Sequence, residues 1–281
     1  MATPPSGSTE AFQMGVTMKP ERLWTFLFAL GAIFATGCFV YARSDADWWL
    51  VPNVSTIGRE IDHLFVIILL ITGIVFIGTQ VVLCYILWKF PDAPGRKAEY
   101  VHGQMKLEVI WTIIPASILV FLALYQMGTW SKIKFRSSMP KVQPVAEVTA
   151  RQFQWIFRYA GEDRRLHTDD DLITVNDFHF VKGEPTVIHL RSTDVLHSFF
   201  LPQFRIKQDA VPGLTIPVWF DSDTSGKFEL VCAELCGWGH YKMRGNVTVH
   251  ETQAEFEDWL KKAKSEQNRD QLALANAANG G

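Results

Sequence analysis

The sequence predicts a membrane-anchored all-β protein, with apolar α-helical spans in its first half and a β-sandwich in its second. Two observations carry this. Three long stretches within residues 1–130 hold no formally charged side chain, and beyond them the pattern changes to short apolar runs separated by turn residues. A third observation concentrates the chemistry. Cys232, Cys236, His240 and Met243 fall within twelve positions, in the string Val-Cys-Ala-Glu-Leu-Cys-Gly-Trp-Gly-His-Tyr-Lys-Met.

The charge-free stretches are residues 24–42, 64–88 and 109–130, of 19, 25 and 22 residues. At about 1.5 Å rise per residue, each has the length to cross a hydrocarbon core about 30 Å thick. A buried helix of a soluble protein is the competing reading, and three in succession argue against it. Pro115 sits in the first turns of the third span, where a missing N–H disrupts little. Ala35-Thr36-Gly37-Cys38 is a weak lipoprotein-type cleavage pattern. The apolar run continues past Cys38 and exceeds the usual signal core of about 7–15 residues, so a retained helix is expected. The expected organisation is an N-terminal segment over 1–60 (retained helix or signal sequence) and a transmembrane hairpin over 61–130.

Orientation follows from the loops. Lys89, Arg96, Lys97 and Lys106 lie between the second and third spans. Asp45, Asp47, Glu60 and Asp62, with Arg43 and Arg59, lie between the first and second. The more basic loop belongs in the cytoplasm. That places residues 131–281 outside a bacterial inner membrane, on the periplasmic side, and Lys19 and Arg22 agree with an inside N-terminus.

Residues 131–145 read as a polar connector with Pro140 and Pro144. Strands are expected over 145–159, 172–181, 186–190, 199–207, 215–220, 227–232 and 245–250. Thr252 and Glu255 form a capping-box pattern ahead of a closing helix with Phe256, Trp259, Leu260 and Ala263 on one face. The outer domain is therefore expected over 131–268. Residues 269–281, rich in Ala, Asn and Gly, are expected to be a disordered tail. A net charge of −2 points to no nucleic-acid partner, and no phosphate loop or repeat is present.

Two thiols, an imidazole and a thioether at spacings of four, four and three suit copper better than a catalytic zinc site. A Cys232–Cys236 disulfide and half of a structural zinc site are the other readings, and Met243 could be core. A mononuclear blue-copper site needs one Cys and two His, which leaves the second Cys surplus; two thiolates could instead bridge two metal ions. Either way another imidazole is required, and His197, at the end of a β-like run, is the candidate.

Three strings carry a resemblance: Asp-Val-Leu-His-Ser around His197, Lys-Gln-Asp-Ala-Val-Pro-Gly over 207–213, and the 232–243 cluster. With Leu-Glu-Val-Ile-Trp-Thr-Ile-Ile-Pro over 107–115, they resemble subunit II of haem–copper cytochrome c oxidases, over roughly residues 60–260. The resemblance implies a cupredoxin domain with a binuclear Cu-A centre. Cys232 and Cys236 would bridge two coppers, and His197 and His240 would each hold one. Met243 and the carbonyl of Glu234 would be weak ligands. It implies a magnesium ion shared with the catalytic subunit through the Glu234 carboxylate, against the plain reading of an exposed acid. Glu108 would mark a proton-uptake entrance, against the plain reading of a carboxylate at a helix N-terminus.

The family takes electrons in at an aromatic segment with a Gln-Trp-Tyr-Trp core. Here it reads Arg151-Gln152-Phe153-Gln154-Trp155-Ile156-Phe157-Arg158-Tyr159. Phe153 falls where the intake Trp stands, and Trp155 matches the second Trp. Both are expected on one exposed strand face, being two residues apart. Arg158 stands where the docking face is usually acidic. Asp194 is either a docking carboxylate or a strand-end turn residue. The implied partners are the haem–copper catalytic subunit, other oxidase subunits, membrane lipid, and a cytochrome c or a haem donor within a larger complex. The implied role is passing electrons to the subunit that reduces oxygen. The alternatives are the copper subunit of a haem–copper nitric oxide reductase and a copper-storage or delivery protein.

Overall fold

The computed structural model describes residues 20–44, 49–91 and 94–279. Three helices come first: α1 (Pro20–Ser44), α2 (Thr56–Lys89) and α3 (Met105–Lys134). Each has the length and composition to cross a membrane. Their apolar side chains point outward: Leu70, Ile74 and Leu124 are 61%, 72% and 70% exposed. A soluble protein does not leave so much apolar surface in water, and lipid is the medium that suits it.

Among the described residues ten strands follow, where the sequence suggests seven runs. They are β1 (Ala146–Arg151), β2 (Gln154–Tyr159), β3 (Leu172–Val175), β4 (Asp177–Val181) and β5 (Thr186–Ser192). Then come β6 (His197–Leu201), β7 (Ile206–Ala210), β8 (Ile216–Phe220), β9 (Gly226–Cys232) and β10 (Arg244–His250). Three of the runs are each divided in two, the first by the turn at residues 152–153 between β1 and β2. Asn176 takes a left-handed conformation and splits β3 from β4, and Arg205 does so between β6 and β7. Pro202 opens the 3-10 turn that ends at Arg205.

The strands form two five-stranded sheets, ordered β3-β2-β1-β5-β8 and β4-β10-β9-β6-β7. Most pairs are antiparallel, with β1–β5 and β10–β4 parallel. The inner faces enclose an aromatic core of Trp155, Phe157, Tyr159, Phe178, Phe180, Phe199, Phe204 and Phe220. Strand β2 alternates as a half-buried strand should: Trp155, Phe157 and Tyr159 point in, while Gln154, Ile156 and Arg158 are only partly covered.

By contacts the chain forms two compact units. One holds α1 with Leu69–Met105; the other holds Leu50–Ile68 with the chain from Lys106 onward. The start of α2 thus belongs to the sandwich unit, although the sequence suggests an outer domain beginning at 131. The reason is hydrogen bonding. The Val54 N–H donates to the Gln203 carbonyl, the Val54 carbonyl accepts from the Asp223 N–H, and Arg205 pairs with Asp62 at 2.7 Å.

The closing helix, α4 (Gln253–Asn279), packs Phe256 and Trp259 against Tyr159, and Trp259 stacks on His179 at 3.7 Å. Thr252 Oγ1 accepts from the Glu255 N–H, as the capping pattern suggests. The helix runs to Asn279, through most of the segment expected to be a tail. Leu and Ala dominate that segment, and both rank among the strongest helix formers.

Candidate metal centre

The centre is built from two strand ends and one loop. His197 opens β6, and Cys232 closes the neighbouring β9, held in register by the Phe199–Cys232 pair. Residues 233–243 then loop back to β10. Their ends are tied by the Cys232 N–H to the Met243 carbonyl at 3.1 Å and the Ala233 N–H to the Ser198 carbonyl at 3.0 Å. A 3-10 turn over His240–Lys242 brings His240 and Met243 back toward Cys236.

All four side chains of the cluster, with His197, converge. The two Sγ atoms are 3.9 Å apart, far beyond a disulfide bond of about 2.05 Å, and both cysteines are free. Cys232 Sγ lies 4.0 Å from His197 Nδ1 and 3.2 Å from the Glu234 carbonyl. Cys236 Sγ lies 3.7 Å from His240 Nδ1 and 3.7 Å from Met243 Sδ. Ligand atoms of His197, Cys232 and Cys236 all lie within 4.8 Å of one another, close enough to hold a metal ion, and two thiols with imidazole and thioether beside them suit a soft metal such as copper.

The electrostatics prepare this site. Burial raises the Cys232 thiol, but His197 and the backbone N–H of Ser198 outweigh it and bring the pKa down to about 6. Burial and then the neighbouring Cys232 thiolate push Cys236 up to about 11. The metal-free pair therefore holds one thiolate and one thiol near neutral pH. His197 is held above its usual range: burial opposes the charge, but Cys232 and Asp194 favour it more.

Asp194 serves neither expected use alone. Its carboxylate accepts from His197 Nε2 at 2.8 Å and from the N–H groups of Gln152 and Val195 at 2.7 Å each. A carboxylate on the far ring nitrogen fixes which nitrogen faces the metal. Sequence reasoning missed this, although Asp-x-x-His at a strand end was the available signal. It also missed Gln152, whose Nε2 donates to the Cys236 carbonyl at 2.6 Å; nothing in the sequence points to that contact.

The aromatic segment corrects another expectation. Trp155 is fully buried, with its ring centroid 6.2 Å from His197 and 5.6 Å from Phe199. Phe153 is half-buried and lies in the turn between β1 and β2, before the alternation of β2 begins. The two do not share an exposed face, because period-two alternation holds only within a strand. Phe153 packs against the ligand loop. A Cβ added to Gly239 would come within 2.5 Å of its ring, and one on Gly237 within 2.9 Å of Gln152 Nε2.

Arg158 pairs with the buried Asp171 at 2.8 Å, so its charge is committed inside the sandwich unit. Glu234 is exposed, and Glu108 lies exposed in the first turn of α3.

An outward apolar helical anchor and a sandwich gathering two cysteines, two histidines and a methionine define a membrane-bound metalloprotein of the electron-carrier class. Comparison with known proteins gives the family. Residues 45–128 match the model for the cytochrome C oxidase subunit II transmembrane domain, and residues 123–250 that for its periplasmic domain. The alternative cytochrome c oxidase subunit 2 of Bradyrhizobium diazoefficiens is 33% identical over 244 residues, spanning 78% of this chain and 86% of that one. Cytochrome c oxidase subunit 2 of Alkalihalophilus pseudofirmus is 31% identical over 249 residues, spanning 87% and 69%. The solved periplasmic domain of subunit II of cytochrome oxidase of Bradyrhizobium japonicum is 27% identical, with a TM-score of 0.40 over 46% of this chain and 98% of that one.

The chain belongs to the cytochrome c oxidase subunit II family. It is a multi-pass membrane protein with a periplasmic copper-binding domain of the cupredoxin type, and an electron-transfer subunit of an oxidoreductase complex.

Proposed function

We propose that this chain holds a binuclear Cu-A centre and relays single electrons from a c-type cytochrome to a haem–copper catalytic subunit that reduces oxygen to water. The observation that carries this is the pair of Sγ atoms 3.9 Å apart, with an imidazole and a weak donor beside each. Cys232 and Cys236 would bridge the two coppers. His197 and His240 would bind one each, with Met243 and the Glu234 carbonyl as weak ligands. Copper held this way supplies a one-electron couple whose charge change is shared between two ions.

The protein's own residues hold the donors still. Asp194 fixes the His197 ring, and Gln152 anchors the loop backbone at Cys236. The aromatic core beneath excludes water and keeps the donors in place, so they need not rearrange when charge changes. The relatives are oxidase subunits, which favours this reading over a nitric oxide reductase or a copper store. The chain purified in detergent should carry two coppers and the optical spectrum of a mixed-valence pair. Metal analysis giving one copper at full occupancy rejects the binuclear site.

Two carboxylates extend the proposal. Glu234 is exposed, and its carboxylate would supply a hard oxygen ligand to a magnesium ion shared with the catalytic subunit. Glu108 would stand at a proton-uptake entrance on the cytoplasmic side. Glu108→Gln should then slow turnover of the assembled enzyme severalfold while copper content stays unchanged, because the site and the metal lie on opposite sides of the membrane. Turnover equal to that of the unaltered enzyme across pH would leave Glu108 only its helix N-terminal role.

A further inference from the structure

The ligand loop carries an aromatic residue that neither the metal nor the core uses. Trp238 lies between Cys236 and His240 and is 78% exposed. Burying an indole is strongly favourable, so an exposed Trp on a rigid loop stands out as a contact residue. Its ring meets Phe153 edge-on, with centroids 5.3 Å apart. Phe153 in turn lies flat enough on the loop that a side chain at Gly237 or Gly239 would collide with this segment. Trp238 and Phe153 thus form one aromatic step from solvent to the backbone beside Cys236.

We propose that Trp238 is the residue through which electrons reach this centre, docking the donor's haem edge and coupling it through Phe153 and the Cys236 loop. The proposal rests on the two-copper reading above. The position expected to take in electrons is occupied by Phe153, which is half-covered, and Trp155 is wholly buried. Neither offers a donor an open ring. Trp238 does, and Leu235 and Tyr241, 77% and 74% exposed, extend the apolar surface on the same loop.

The charge on this surface selects the donor. The Lys242 amine sits 4.8 Å over the Trp238 ring, and Arg151 is exposed two residues before Phe153. Arg158 and Asp194, the two side chains of this region expected to set docking charge, are held in internal pairs. The donor that fits is a haem protein with an exposed haem edge and a neutral or acidic rim. In the step itself, the donor's ferrous haem would become ferric and its one electron would pass to the metal that Cys232, Cys236, His197 and His240 would hold. No bond is made and no proton moves.

The test uses the assembled enzyme with Trp238→Ala and Trp238→Phe. Copper content, co-purified haem and optical spectrum are measured first. Binding of a redox-silent zinc-substituted cytochrome c with an acidic rim is then titrated, and copper reduction by the same cytochrome in its ferrous iron form is followed in stopped flow beside reduction by dithionite. Trp238→Ala should weaken binding and slow reduction by cytochrome c by about tenfold or more, the scale of a central aromatic contact. Trp238→Phe should recover most of both. Copper content, haem content and the dithionite rate should not change.

Binding and reduction within about twofold of the unaltered enzyme, at full copper, would overturn the proposal. So would loss of co-purified haem in Trp238→Ala, which would place the ring against the catalytic subunit. An unaltered enzyme without the two-copper spectrum would sink the reading beneath, whatever Trp238 does.

Discussion

Cys236→Ser should leave the protein without its two-copper centre. Cys236 Sγ is the hub of the donor set, 3.9 Å from Cys232 Sγ and 3.7 Å from both His240 Nδ1 and Met243 Sδ. A serine hydroxyl is hard, stays protonated near neutral pH and bridges soft copper poorly. The expected result is at most one copper per chain and loss of the mixed-valence spectrum. Met243→Leu is the contrast. It removes a weak thioether ligand from a fully buried position and restores nearly the same apolar volume. Both coppers should remain, with a shift in potential. Copper lost on the Met243 change but kept on the Cys236 change would refute the ligand assignment.

Loading should also depend on pH in a defined direction. Ligands bind as thiolates, so a thiol raised to about 11 must surrender its proton on metal binding. Cys232, lowered to about 6, is already ionised above neutrality. Apparent affinity of the reduced, metal-free protein for copper should therefore rise between pH 7 and 9, with Cys236 supplying a proton and His197, whose pKa is also raised, supplying another where it is still protonated.

How far the sequence revealed this molecule depends on how local each signal is. The spans were legible because twenty or so uncharged residues have few other uses. The ligand loop was legible because four soft donors in twelve positions rarely coincide by chance, and His197 followed from the need for a second imidazole. Signals that depend on one residue's backbone or on distant contacts were not legible. Arg205 takes a left-handed conformation that its side chain does not announce, while Asn176, a residue type enriched in that conformation, and Pro202 ahead of Arg205 were usable signals. The docking of residues 50–55 onto the sandwich rests on backbone hydrogen bonds to residues about 150 positions away, which leave no pattern in sequence. The aromatic segment failed for a third reason. Phe153 and Trp155 were assigned one strand, but the chain turns between β1 and β2, and the face of each residue changed with it.

That correction alters what a change at Trp155 should do. An exposed intake residue, once truncated, would lower only the rate of copper reduction. Trp155 instead fills the core beside His197 and Phe199 with no accessible surface. Trp155→Ala should open a cavity and cost about 3–5 kcal/mol of stability. For a domain of this size that is a fall in Tm of roughly 6–20 °C. Copper retention should fall with it, because the wall behind His197 is gone. Trp155→Phe keeps the edge contacts and removes an indole N–H that is buried without a hydrogen-bond partner. Its cost should be smaller, about 1–2 kcal/mol, since the lost volume is partly offset by removing an unsatisfied donor. Thermal melts of both variants, with copper content read before and after heating, separate the two pictures. A Trp155→Ala protein that melts within about 2 °C of the unaltered chain, yet accepts electrons far more slowly, would return Trp155 to the electron path and remove it from the core.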